Sequence, residues 1–197
     1  MMCPGELYKT LGAPCEGQYK EKGSRFLSFG FHVSTEEEIR MQLGAMKKKF
    51  YDARHICYAY RLGPAGEPWR ANDNGEPSST AGKPILGQLL SHDLSDVLLV
   101  VVRYFGGIKL GTGGLVNAYR TAAGNALEHA SVIEKRVLET MLLQYNYDQT
   151  DKIMKAVHDT QALVVSQSFM EGPLPCRLTV RVPPSGKQTL LSSLEPT

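Results

Sequence analysis

The segment Arg103–Arg120 (RYFGGIKLGTGGLVNAYR) concentrates the residue types suited to holding an oxyanion. Gly106, Gly107, Gly111, Gly113 and Gly114 leave backbone N–H groups open to close approach, and they permit torsions that other residues avoid. Arg103, Lys109 and Arg120 supply positive charge, and no Asp or Glu lies between Asp96 and Glu128. The glycines lead into an apolar-periodic stretch that reads as a helix, so unpaired N–H groups and the positive end of the helix dipole add to the site. Together these features predict a small phosphate or oxyanion site. Arg54 and Lys83 are further candidate contacts. The segment is not a P-loop, because no Gly-Lys-Ser/Thr follows the glycines, and its spacing does not match the GxGxxG dinucleotide fingerprint. The competing reading is that the glycines only let a helix pack closely on a strand.

Two weaker constellations accompany it. In Asn72–Thr80, Asp73 and Glu76 have the chemistry to hold a cation or to act as acid and base, but Asn, Asp, Gly and Pro are also expected there for turn formation alone. His55 alternates onto the same strand face as Cys57, where it would be a base beside a nucleophile or simply part of the packing. Neither group assigns a catalytic residue. Cys3, Cys15, Cys57 and Cys176 form no CxxC pair, so reduced thiols in a cytoplasmic protein are expected, with no metal and no cofactor.

These residues need elements to position them. Val97–Phe105 reads as a central strand, apolar on both faces, and Thr112–Ala130 as the helix after the glycines, with Leu115, Val116, Tyr119, Ala122, Ala123, Ala126 and Leu127 as its apolar stripe. Upstream, Ser24–Val33 and Arg54–Leu62 read as strands. Between them Ser34 or Thr35 caps a helix that starts with Glu36–Glu38 and ends with Lys47–Lys49, as the helix dipole favours. Tyr8–Tyr19 reads as irregular, Gly63–Ser79 as a long loop and Thr80–Ser91 as a short helix. Past Ser131–Arg136 the pattern restarts: strand 137–147, helix 148–160, strands 162–169 and 176–182, then a helix from Pro184 to about Leu194. That β-α-β-β-α order is the ferredoxin-like arrangement without its last strand. The predicted class is α+β, with an N-terminal β-α-β-α-β-α domain over 1–135 and a smaller C-terminal domain over 136–197.

Composition bounds the function. A chain of 197 residues with 42% hydrophobic and 21% charged residues has the makings of a folded core. A net charge of +2 gives no global field for nucleic acid, so any such reading rests on local clustering. Val97–Val102, the longest apolar run, is far short of a membrane span, and Met1–Lys22 lacks a signal-peptide pattern, Cys3 lying too near Met1 for a lipoprotein.

The chain resembles the YigZ/IMPACT family. The carrying residues are Arg103–Gly111 (RYFGGIKLG), with Asn72–Pro84 (NDNGEPSSTAGKP) and Lys22–Phe26 (KGSRF). Asn74 interrupts the acidic run Asp-Asp-Gly-Glu-Pro expected there, which weakens a metal-binding reading of that loop. The resemblance implies an N-terminal domain similar to the second domain of a small-subunit ribosomal protein. It implies a C-terminal domain similar to a late domain of elongation factor G. Both point towards RNA or the ribosome; eukaryotic relatives act in translational control, which makes a translation regulator one expectation, and the two-domain build resembles the bacterial branch. The expectation is a non-enzymatic RNA- or ribosome-associated protein. An enzyme for a small anionic or phosphorylated substrate remains open, as does an adaptor docking a protein partner through the C-terminal domain.

Overall fold

A computed structural model describes residues 6–194; the expectations for Met1 and Cys3 lie outside them. The fold is α+β, with a five-stranded sheet, a separate three-stranded sheet and a two-stranded pair. Tyr8–Lys135 forms one compact unit. Residues 136–194, with Glu6 and Leu7, belong to another.

In the larger unit the strands are β1 (Leu7–Leu11), β2 (Cys15–Glu21), β3 (Ser24–His32), β4 (His55–Arg61), β5 (Trp69–Asn72), β6 (Val97–Tyr104) and β7 (Val132–Arg136). Its helices are α1 (Glu36–Lys49), α2 (Gly82–Ser91) and α3 (Gly111–Glu128). The main sheet runs β2-β3-β6-β4-β5, with every neighbouring pair antiparallel. β6 is central, and its alternation splits the core. Val97, Leu99 and Val101 pack with Ile85 and Leu89 of α2 and with Leu115, Tyr119 and Ala122 of α3. Leu98, Val100 and Val102 pack on the other face with Ile39 and Met46 of α1. A strand buried on both faces must be apolar at every position, which is why the run stands out in the sequence. Thr35 caps α1, its Oγ1 accepting the Glu38 N–H at 3.2 Å.

Two expectations are corrected. Tyr8–Tyr19 is not irregular: it holds β1, which pairs with β7, and most of β2, the sheet edge. Its apparent breaker Gly17 lies under α3, where a Cβ would run into the backbone of Asn125 and Ala126. The loop Gly63–Ser79 also contains a strand, β5, at the opposite edge. The predicted β-α-β-α-β-α order therefore lacked β1, β2, β5 and β7.

The smaller unit contains β8 (Glu139–Tyr145), α4 (Thr150–Asp159), β9 (Leu163–Phe169), β10 (Cys176–Val182) and α5 (Lys187–Leu194). Its sheet runs β8-β10-β9, antiparallel throughout. Leu143, Tyr145, Leu178 and Val180 meet Ile153 and Val157 of α4 and Leu190 of α5 in a separate core. Edge strand β9 is exposed along its whole length.

Candidate phosphate-binding cleft

The turn after β6 and the start of α3 form one wall of a cleft of about 450 Å³. Arg54 and His55, at the head of β4, and the tip of the 73–80 loop complete it. Arg54, Lys109, Gly111 and Thr112 are exposed around it. The first turn of α3 carries no acidic residue. Gly107 and Gly111 adopt φ of 88° and 72°, and space is open beside both α-carbons. These two glycines are required by the left-handed turn that presents the helix N-terminus. Gly106 has a different reason: a Cβ there would collide with the backbone of Gly23 and Ser24. Its N–H is held by Ser24 Oγ at 3.2 Å. Gly113 meets nothing, and Gly114 only its own Leu110. Close packing therefore explains Gly106, and the left-handed backbone explains Gly107 and Gly111.

The floor of the cleft is a buried ionic cluster. Glu76 Oε1 accepts from Arg103 Nη1 at 2.7 Å and from the Tyr119 hydroxyl at 2.8 Å, with the Glu76 and Arg103 side chains only 4% and 6% exposed. The Arg103 guanidinium lies between the rings of Phe26 and Phe105, 5.5 and 5.6 Å from their centroids. Among the described residues its buried Nε has no hydrogen-bond partner. Arg103 lines the cleft, but its charge is largely matched by Glu76. Among the described residues no salt bridge engages Arg54 or Lys109, which bring positive charge to the rim.

His55 Nδ1 lies 2.9 Å from the Asn74 carbonyl. A carbonyl only accepts, so Nδ1 carries the proton and a neutral ring leaves Nε2 bare, 4.0 Å from Glu76 Oε1. The Cys57 thiol is buried and donates to the Asp73 carbonyl at 2.9 Å, with the Tyr119 hydroxyl oxygen 3.3 Å from its sulfur. Burial pushes its pKa up to about 12, so it is not a thiolate at neutral pH. The Tyr119 phenol is pushed up by burial first and by Cys57 and Glu76 next. Asp73 is spent on backbone. Its Oδ1 accepts from the Ala81 and Gly82 N–H groups at 2.9 and 2.8 Å, and its Oδ2 from Ser79 at 2.8 Å. Burial alone would raise its pKa, but the bonds from Gly82, Ser79 and Ala81, with help from Lys83, outweigh it and hold the carboxyl below its usual value. The acids of this loop are thus a helix-capping group and a buried counter-ion. Among the described residues no three His, Cys, Asp or Glu side chains gather as a metal site.

The sequence-predicted contacts divide in space. Arg54, Arg103, Lys109 and Gly111 share the cleft. Lys83 and Arg120 instead line a neighbouring groove with Ser79, Pro84 and Val116. Val116 therefore faces that groove and not the core. The aromatic at the cleft is Phe105, 50% exposed, whereas Tyr119 is fully buried. From the sequence, Tyr104, Phe105 and Tyr119 could each stack on a base, with core packing favoured by their places on a strand and a helix. The signal for Phe105 was its place one residue past the strand end, next to the glycine turn. Among the described residues, no helix is long and apolar enough to cross a membrane.

Comparison with known proteins places these features in a wider group. A family model described as the Impact N-terminal domain matches residues 22–127, which hold the whole cleft. The chain is 37% identical over 164 residues to the IMPACT family member YvyE of Bacillus subtilis, covering 83% of this chain and 76% of that protein. It is 34% identical over 150 residues to the IMPACT family member YigZ of Escherichia coli, covering 75% and 74%. A crystal structure described as that of a hypothetical protein superposes with a TM-score of 0.76 at 30% identity, over 96% of this chain and 91% of that one.

Proposed function

The chain belongs to the IMPACT family, and from that premise we propose that it is a non-enzymatic RNA-binding protein whose ligand lies in the cleft at the start of α3. One observation carries the reading: Arg54, Lys109, the acid-free N-terminus of α3 and the exposed ring of Phe105 all border one cavity. Cations and helix N–H groups suit a phosphate, and an exposed ring beside them suits a base stacked on it. A nucleotide unit of single-stranded RNA offers both.

An enzymatic reading through His55, Asp73 and Glu76 has less support. Asp73 caps α2 and Glu76 neutralises Arg103, which leaves only His55 for acid–base work. The element order β8-α4-β9-β10-α5 with sheet order β8-β10-β9 agrees with a ferredoxin-like C-terminal domain over 136–197 lacking its last strand. We read the larger unit as the domain similar to that of a small-subunit ribosomal protein. On that reading the ribosome and translational control are the setting in which the RNA is met. An adaptor role has an observation of its own, the uncharged edge strand β9, which presents Leu163, Val165 and Phe169 to solvent.

The test is binding of a fluorescent oligoribonucleotide, and co-sedimentation with ribosomes, by the full chain and by the Arg54→Glu/Lys109→Glu variant. Two lost phosphate contacts reduce the salt dependence of log K by about 1.4, at about 0.7 per contact on a single strand. Binding by the variant equal to wild type at low salt overturns the reading. For the adaptor, Val165→Lys in the full chain should abolish retention of a protein partner.

A further inference from the structure

The groove holding Lys83 and Arg120 shares both walls with the cleft. One wall is the face of α3: Thr112 lines the cleft and Val116 and Arg120 the groove, at the i, i+4, i+8 spacing that stacks side chains on one side of a helix. The other is a single run of chain: Gly75, Glu76 and Pro77 border the cleft, and Ser79, Lys83 and Pro84 the groove. That run is held in shape from within. Asp73 binds the N–H groups of Ser79, Ala81 and Gly82, and the Pro77 carbonyl accepts from Thr80 N at 3.1 Å and Thr80 Oγ1 at 2.6 Å. Lys83 and Arg120 are exposed, and among the described residues no hydrogen bond or salt bridge engages the charged group of either. The one carboxylate bordering the cleft, Glu76, is taken by Arg103, and Asp73 is taken by backbone. The two cavities thus form one line of positive charge without an exposed acid on it.

Resting on the phosphate-cleft reading, we propose that this groove is a second phosphate subsite, so that the ligand is a strand of RNA and not a mononucleotide. The phosphate next to Phe105 is held by Arg54, Lys109 and the α3 N-terminus, and the strand then passes over Pro77 to Lys83 and Arg120. From Thr112 to Arg120 the helix rises about 12 Å. At about 3.4 Å per stacked nucleotide, that separation spans about three or four nucleotides. The loop in the 73–84 wall is already held by these hydrogen bonds, which lowers the ordering cost of binding.

The experiment is a titration of the full chain with uridine oligoribonucleotides from one to ten units. Wild type and Lys83→Glu/Arg120→Glu are compared, since both positions are at the surface and neither side chain is part of the core. The expected wild-type affinity climbs steeply between two and about five nucleotides. The variant loses that gain, binding the ten-unit strand about ten-fold or more weakly with a salt slope lower by about 1.4, while its affinity for the mononucleotide is unchanged. Equal affinity of wild type and variant for the long strand overturns the second subsite and leaves the cleft reading standing. So does wild-type affinity that does not depend on length. Failure of wild type to bind any of the oligonucleotides sinks the cleft reading itself. A deoxyuridine strand bound as tightly as the ribose strand overturns the assignment to RNA.

Discussion

Replacing Glu76 with alanine tests whether the floor of the cleft is a structural ion pair. Glu76 is the sole salt-bridge partner recorded for Arg103 among the described residues, at 2.7 Å, and both side chains are almost sealed from solvent. The Arg103 contact to Ser24 Oγ, at 3.5 Å, is too long to compensate. Glu76→Ala leaves a guanidinium buried without a counter-ion and strands the Tyr119 hydroxyl, which then keeps only its longer contact to Cys57. Removing one partner of a buried pair costs about 3–5 kcal/mol, whereas an exposed pair costs about 1 kcal/mol or less. Glu76→Gln retains an oxygen acceptor for both partners and should cost about 1–3 kcal/mol. The readout is urea unfolding followed by Trp69, the only tryptophan in the chain, which lies in β5 of the same unit. With a slope near 2 kcal/mol per molar urea, the alanine midpoint should fall by roughly 2 M and the glutamine midpoint by roughly 1 M. Equal losses below about 1 kcal/mol in both variants would refute the buried pair as the organiser of the floor.

Other expectations follow from the same geometry. Phe105→Ala should weaken RNA binding by the equivalent of about 1–3 kcal/mol, the cost of losing one stacked base, with little change in the urea midpoint because the ring is half exposed. Asp73→Asn should destabilise the larger unit near neutral pH; since the Asp73 pKa is lowered on folding, its contribution is present above the unfolded value of 3.8 and is lost as pH falls through the folded value, so acid titration of stability should flatten in the variant. Cys57 has the opposite sign. Its folded pKa of about 12 exceeds the unfolded 9.0, so its contribution is complete below pH 9 and drains away between the two, at about 1.4 kcal/mol per pH unit. Stability of wild type should decline more steeply over that range than stability of Cys57→Ala, and native Cys57 should resist thiol reagents at neutral pH.

The parts of the fold most legible in the sequence were those with one dominant period. β6 is apolar at every position because it is buried on both faces, and α3 repeats small and apolar residues against it. β2 was hidden because glycine usually ends a strand, whereas Gly17 is there to admit the backbone of α3. β5 was hidden because a four-residue edge strand inside a turn-rich stretch carries too few side chains to show alternation. Within the site, the residue types were visible but not their partners. Nothing local to Arg103 announces that Glu76, far away in sequence, neutralises it, and nothing in the glycine run separates Gly106, which packs, from Gly107 and Gly111, which turn. Burial and pairing depend on the antiparallel register of β4 with β6, which brings His55 opposite Arg103.

The cleft itself is tested most directly by following backbone amide resonances of the isotopically labelled full chain during titration with a short uridine oligoribonucleotide. Phosphate held at the start of α3 should shift the amides of Gly107, Gly111, Thr112 and Gly113 in a salt-sensitive manner, together with the Phe105 ring. A titration that leaves those resonances in place, or that moves only residues of the smaller unit, would contradict it.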